Sequence, residues 1–172
     1  MFGSKKRQQK AKKAAPPIDT NDLASLLVKM PLFDTLTSEE MGQLRRYIAV
    51  IEVEKGEHVF EEGDVSNYVC FVIEGKLEVY KTDNEHQKVS LAIIPAGRCI
   101  GEMSLVDKWT RSATAVAATP ACLVTLSQDN FKKICENHTK LGNKILLELA
   151  RLMSMNLRKT SASFVTLYQD KS

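Results

Sequence analysis

The chain has 172 residues, which leaves room for one domain with a short appended segment and not for two full domains. Its 44% hydrophobic and 26% charged residues match an ordinary globular domain, and no apolar run approaches the roughly eighteen residues of a membrane span. The net charge of +3 is unevenly placed: Lys5, Lys6, Arg7, Lys10, Lys12 and Lys13 stand in the first fifteen residues without an acid, which leaves 18 bases against 21 acids elsewhere, a net −3. A basic surface spread over the whole protein is thereby excluded, and only the tail over residues 1–15 has the charge to hold nucleic acid, an anionic membrane or an acidic partner.

Lys5 to Pro17 is charged, poor in apolar residues and closed by Pro16-Pro17. Such a segment buries too little surface to offset its ordering entropy, so residues 1–17 are expected to be a disordered basic tail. It is not a secretory signal, because Ala-Ala-Pro-Pro follows the charges where an apolar stretch would stand. A domain is expected over residues 18–160, with residues 161–172 as a C-terminal extension. Asp22 to Lys29 has the composition of a short helix, ended at Met30-Pro31 because the residue before proline avoids the α region. Thr37 and Glu40 form a capping box ahead of Met41, Leu44, Tyr47 and Ile48, which predicts a second helix.

From Val50 the apolar period shortens to about two. Ala49–Val53, His58–Phe60, Tyr68–Ile73, Lys76–Lys81, Val89–Ile94, Ala113–Ala117 and Cys122–Ser127 read as strands separated by turn residues. Seven or eight strands at this spacing predict a mainly β fold with flanking helices, an antiparallel jelly-roll β-barrel. The helical period then returns: Phe131 and Ile134 mark a short helix, and Leu141–Lys159 a long one with Ile145, Leu146, Leu149, Leu152, Met153 and Leu157 on an apolar face. Leu146, Leu149 and Met153 have the spacing of a dimer seam, but Asn156, Thr160 and Ser163 follow on it, so a monomer and a dimer through this helix are both open.

Chemistry concentrates in Ile100–Thr114. Gly101 lets the backbone turn sharply and approach a ligand, the residues after it can make one helical turn with unpaired N–H groups, and Arg111 supplies a planar fork of donors suited to phosphate oxygens. Glu102 would repel a phosphate beside it, a conflict that disappears if it accepts from a sugar hydroxyl. Trp109, the only tryptophan, sits in the following loop, where shielding the phosphate and projecting to a partner are both open to it, and it is expected to anchor that loop on the barrel. Glu61-Glu62-Gly63-Asp64 reads as a turn between strands rather than an acid–base or metal site. His58, His86 and His138 have no partners at nucleophile-like spacing, so neither a metal site nor an enzyme is indicated. Cys70, Cys99, Cys122 and Cys135 are widely spaced, form no CxxC pair and are expected to be reduced core thiols of a cytoplasmic protein.

Gly101-Glu102-Met103-Ser104-Leu105 and Arg111-Ser112-Ala113-Thr114 resemble the phosphate-binding cassette of the cyclic nucleotide-binding domain family, of the catabolite activator and protein kinase A regulatory-subunit type. Pro31-Leu32-Phe33, Val59–Asp64 and Phe71–Gly75 extend the resemblance to residues 22–160 or so. It implies a regulatory module for cAMP or cGMP in which Glu102 accepts from the ribose 2′-hydroxyl and Arg111 pairs with the cyclic phosphate. Backbone N–H groups around Met103, Ser104 and Ala113 complete the phosphate shell. Ser112 stands where a small residue contacts phosphate or base; threonine there goes with guanine, and serine leaves the base open with a lean to cAMP. Asn156 of the long helix would reach the base, with Arg158, Phe164 and Tyr168 as further lid residues. The signal would pass through that helix to a protein effector. Only twelve residues follow Thr160, too few for the helix-turn-helix of a DNA-binding relative. A cyclic di-GMP sensor and a ligand-free structural adaptor are the alternatives on the same fold.

Overall fold

The computed structural model describes residues 32–169 together with Leu23, Leu26, Leu27 and Met30, and of residues 163–169 only the backbone. The tail expected over residues 1–17, and the side chains of Phe164 and Tyr168, lie outside the described residues. Eight strands run in chain order as β1 (Ile48–Val53), β2 (His58–Phe60), β3 (Tyr68–Glu74), β4 (Lys76–Thr82), β5 (Lys88–Pro95), β6 (Cys99–Ile100), β7 (Thr114–Ala117) and β8 (Ala121–Ser127). The helices α1 (Ser38–Leu44), α2 (Gln128–Asn137) and α3 (Thr139–Gln169) flank them, and before α1 the described residues Leu23, Leu26 and Leu27 are helical, inside the helix expected over Asp22–Lys29.

All strand pairs are antiparallel, and they form two four-stranded sheets in the orders β1-β8-β3-β6 and β2-β7-β4-β5 rather than one closed barrel. This is the double-sheet form of the jelly roll. The first sheet is covered on both sides, which explains why its central strands read as unbroken apolar runs. Val69, Phe71 and Ile73 of β3 and Cys122, Val124 and Leu126 of β8 face the helices. Cys70 and Val72 of β3 and Ala121 and Leu123 of β8 face the second sheet, where they meet Leu77, Ala115 and Ala117. A period of two therefore sends alternate residues into two separate cores.

The helical core gathers Leu27, Phe33, Leu44, Ile134, Leu141, Ile145 and Leu149, all at most 1% exposed, with the Phe33 and Phe71 rings 4.8 Å apart at 56°. The capping box of α1 is present: Thr37 Oγ1 accepts from the Glu40 amide at 3.2 Å, and Glu40 Oε2 accepts from the Thr37 amide at 2.8 Å. The same Glu40 oxygen accepts from Lys144 Nζ at 2.7 Å, tying α1 to α3, and that bond lowers the carboxyl pKa. Gly142 lets α3 pack closely on α2, because a Cβ there would meet Cys135 Cα at 2.8 Å.

Three expectations change. The helix expected to carry on through Ile48 stops at Leu44; Arg45–Tyr47 form a 3-10 turn, and Ile48 already pairs with Leu126 in β1. The two-residue strand β6 is absent from the expected strands because periodicity needs a longer window, yet its pairing with Cys70 and Phe71 is what delivers Gly101. The apolar face of α3 is only partly used: Ile145 and Leu149 are buried, Leu152 and Met153 half-buried, and Leu146 and Leu157 are 45% and 68% exposed. The helix leaves the sheet after Leu149 and continues without a break past position 160 to Gln169. The four cysteines are free, with Cys70 and Cys122 buried, and burial pushes the Cys99 thiol up to about 12.

Candidate ligand-binding cleft

β6 ends at Ile100 and is followed by Gly101, whose φ of 73° lies in the left-handed region. That conformation starts the 3-10 turn Glu102–Leu105, whose first N–H groups have no carbonyl partner within the turn. Ser104 is 1% exposed and turned inward: its amide and its hydroxyl both donate to the Gly101 carbonyl, at 3.1 and 2.6 Å. Ser104 thus holds the turn closed. Met103, 53% exposed, and half-buried Glu102 face the space beyond it.

Arg111 approaches the same space from the other end of the loop and is only 4% exposed. Its guanidinium lies over the Phe60 ring, 4.0 Å from the centroid, and over the Tyr68 ring at 4.6 Å. Nη2 donates to the Tyr68 carbonyl at 2.6 Å, whereas Nε and Nη1 are buried without a hydrogen-bond partner. Burial also lowers the guanidinium pKa and pushes the Tyr68 hydroxyl up to about 12. Unpaired buried donors cost free energy, so their persistence marks a place prepared for an acceptor.

The acidic turn before β3 is the clamp for this arginine. Asp64 carbonyl accepts from the Arg111 amide and the Gly63 amide donates to the Arg111 carbonyl, both at 2.9 Å, while Asp64 Oδ2 caps the Glu61 amide at 2.9 Å. The turn expected there is present: the Asp64 carboxylate holds backbone, whereas the Glu61 carboxylate pairs with His58 Nδ1 at 3.0 Å and the Glu62 carboxylate with Lys81 Nζ at 3.2 Å. Among the described residues no three His, Cys, Asp or Glu side chains lie close enough to hold a metal ion, and no helix is long and apolar enough to cross a membrane.

Between these elements lies an open cleft of about 670 Å³. Gly101, Glu102, Met103, Ser104, Arg111, Ser112, Ala113 and Asn156 all line it, so these eight expected site residues are brought to one place, whereas Arg158, expected as a further lid residue, is not among the lining residues. Val79, Ala92 and Ile94 form an apolar wall from β4 and β5. Asn156 arrives from α3, and its Nδ2 donates to Glu102 Oε1 at 2.9 Å, so the long helix is tied to the cassette carboxylate. Trp109 departs from expectation. It does not anchor the loop on the sheets but lines the cleft with 79% of its surface exposed. Phe60 and Tyr68, the two rings that hold Arg111, had no local signal in the sequence, because they come from strands 43 to 51 residues away.

Gly101→Ala tests the local geometry. A Cβ at this position would run into Arg111 Nη1, and the positive φ is itself strained for any L side chain. The expected cost is about 2 kcal/mol or more in urea unfolding, with Arg111 displaced from the cleft. Stability equal to the parent would show that the turn relaxes without Gly101.

The fold agrees with that of known proteins. The cyclic nucleotide-binding domain family model matches residues 50–138, from β1 to the end of α2. The cyclic AMP receptor protein of Thermus thermophilus is 30% identical over 121 residues, 70% of this chain and 56% of that protein. The cAMP-dependent protein kinase regulatory subunit of Blastocladiella emersonii is 31% identical over 108 residues, 63% of this chain and 27% of that one. The chain thus spans little more than half of the receptor protein and about a quarter of the kinase subunit. A crystal structure of a cyclic nucleotide-binding domain from Methylobacillus flagellatus superposes with a TM-score of 0.75 at 29% identity, covering 84% of this chain and 82% of that one. With the glycine turn and the arginine placed inside the matched region of such a double sheet, the chain belongs to the cyclic nucleotide-binding domain family.

Proposed function

We propose that the cleft binds a cyclic mononucleotide, cAMP in preference to cGMP, and that α3 relays its occupancy to a protein effector. The observation that carries this reading is Arg111, a buried cation with two guanidinium nitrogens unpartnered at the floor of the cleft. A cyclic phosphate supplies oxygen acceptors and a negative charge to that fork. Backbone amides around Met103 and Ala113 complete the shell, and Ser104 keeps the turn at Met103 in shape. The ribose 2′-hydroxyl donates to Glu102, and Ser112 lies beside the phosphate and base. Asn156 reaches the base from α3. The names of the Thermus and Blastocladiella relatives favour cAMP.

The relay follows from the Asn156–Glu102 hydrogen bond. A ligand that engages both groups changes this polar tie between α3 and the cassette, and so changes the helix positions that are allowed. By linkage, an effector that prefers one of those positions shifts nucleotide affinity by the same factor. Exposed Leu146 and Leu157 give α3 an apolar side for such a partner. Under this reading the protein is a non-catalytic module, residues 18–160 are its domain, and the basic tail serves a separate contact.

The test is calorimetric titration with cAMP, cGMP and cyclic di-GMP side by side. Binding of cAMP ahead of cGMP, with no heat from cyclic di-GMP, is the expected result. Preferential binding of cyclic di-GMP would replace the mononucleotide reading, and the absence of heat from all three would turn the fold into a structural adaptor.

A further inference from the structure

The loop that crosses the mouth of the cleft is held firmly and yet presents its largest side chain to water. Asp107 carbonyl accepts from Gln128 Nε2 at 3.0 Å, and Asp107 Oδ1 accepts from the Trp109 amide at 3.3 Å. Thr110 forms an antiparallel bridge with Val65, and the Arg111 amide is bonded to Asp64. The backbone is therefore fixed on both sides of Trp109. Fixing it this way while leaving an indole 79% exposed is costly, since that surface would gain from any apolar cover. No described group bonds the indole N–H.

The bridge at Thr110 makes the backbone extended there, and in an extended segment residues two apart point to the same side. Trp109 and Arg111 are such a pair, and both line the cleft. Arg111 lies at its floor between Phe60 and Tyr68; Trp109 stands at its rim.

We infer that Trp109 is a ligand-covering residue: its indole closes over the anionic end of a nucleotide seated on Arg111, with its N–H available to a phosphate oxygen. The inference rests on the cyclic nucleotide reading of the cleft. Its physical consequence is exclusion of water. A guanidinium–phosphate pair beneath an aromatic cover is screened less by salt than one open to solvent. Trp109 therefore makes binding both tighter and less dependent on ionic strength, in a domain whose net charge repels an anion.

Trp109 is the only tryptophan, so its fluorescence reports on this one position. The experiment compares the full chain with Trp109→Ala and Trp109→Phe, using cAMP as the ligand, in calorimetry at low and at physiological salt and in acrylamide quenching of the parent. The exposure of the side chain means that neither substitution disturbs the core. Expected are reduced quenching when cAMP is added, affinity about tenfold weaker in Trp109→Ala, a loss of one aromatic contact, and most of that affinity kept in Trp109→Phe. The salt dependence of Trp109→Ala is expected to be steeper than that of the parent. If the parent binds cAMP while its tryptophan remains as quenchable as before and Trp109→Ala binds as well as the parent, the indole does not cover the ligand, and the reading of the cleft stands without it. If the parent gives no heat with cAMP, that reading fails and takes the inference with it.

Discussion

Arg111→Met is expected to abolish nucleotide binding and to raise the melting temperature of the empty protein. Removing one partner of a buried, hydrogen-bonded charge pair costs about 2–5 kcal/mol, so affinity for cAMP falls by roughly a hundredfold or more. Stability moves the other way for a separate reason. In the empty cleft the guanidinium nitrogens Nε and Nη1 have no partner, and each buried unsatisfied donor costs about 1–3 kcal/mol. Burial also lowers the Arg111 pKa, which means that the folded state disfavours the charge it carries. Methionine fills similar space between Phe60 and Tyr68 with a sulfur–aromatic contact and no donor to leave unpaired. Three losses oppose this gain: the bond to the Tyr68 carbonyl and the cation–π stacks on Phe60 and Tyr68, each worth about 1 kcal/mol. The balance is a gain of about 1 kcal/mol, or about 2–4 °C for a chain of this size. Calorimetric titration and a thermal scan without ligand read the two effects independently. Tight cAMP binding by the methionine variant would overturn the phosphate role, and a clearly lowered melting temperature would mean that the stack outweighs the unpaired donors.

Glu102→Ala is expected to weaken cAMP by about tenfold to a hundredfold, the range of a hydrogen bond to a charged group. The loss should be specific to one hydroxyl. With 2′-deoxy-cAMP the parent should lose about as much as the alanine variant does with cAMP, and the variant should no longer distinguish the two ligands. The same substitution removes the acceptor of Asn156 Nδ2 and frees α3 from the cassette, so amide hydrogens beyond Leu149 should exchange faster in the empty protein. Both groups are accessible to water, so the fold itself should be little affected. A variant that still discriminates between cAMP and 2′-deoxy-cAMP would place the ribose elsewhere in the cleft.

Much of the architecture is legible in short stretches of sequence because local physics specifies it. The Thr37–Glu40 capping box forms from residues three apart, and glycine at 101 is demanded by a positive φ. Strands β3 and β8 are evident as apolar runs, and the structure adds only that both of their faces are covered. Elements that depend on distant partners are not legible in this way. Strand β6 has two residues and exists because β3 offers it an edge, and Ile48 leaves the helical pattern because β8 pairs with it. Leu146 and Leu157 of the apolar face of α3 stay exposed, which periodicity alone cannot register.

The same division runs through the site. Sequence by itself determined the chemical inventory: a glycine turn, a carboxylate, an arginine and a distant amide, together with the charge split that leaves the bulk of the chain at −3. Under the proposed function an anion is held there by the Arg111 guanidinium and backbone amides, not by bulk charge. Tertiary structure alone decided the state of those groups. It buried Arg111 between two rings from other strands, left two of its nitrogens unpaired, set Asn156 against Glu102 and turned Trp109 outward over the cleft. The reason is physical: residue type and spacing set which hydrogen bonds and charges a group can offer, whereas burial and the presence of a partner are properties of the space around it, which only long-range packing creates.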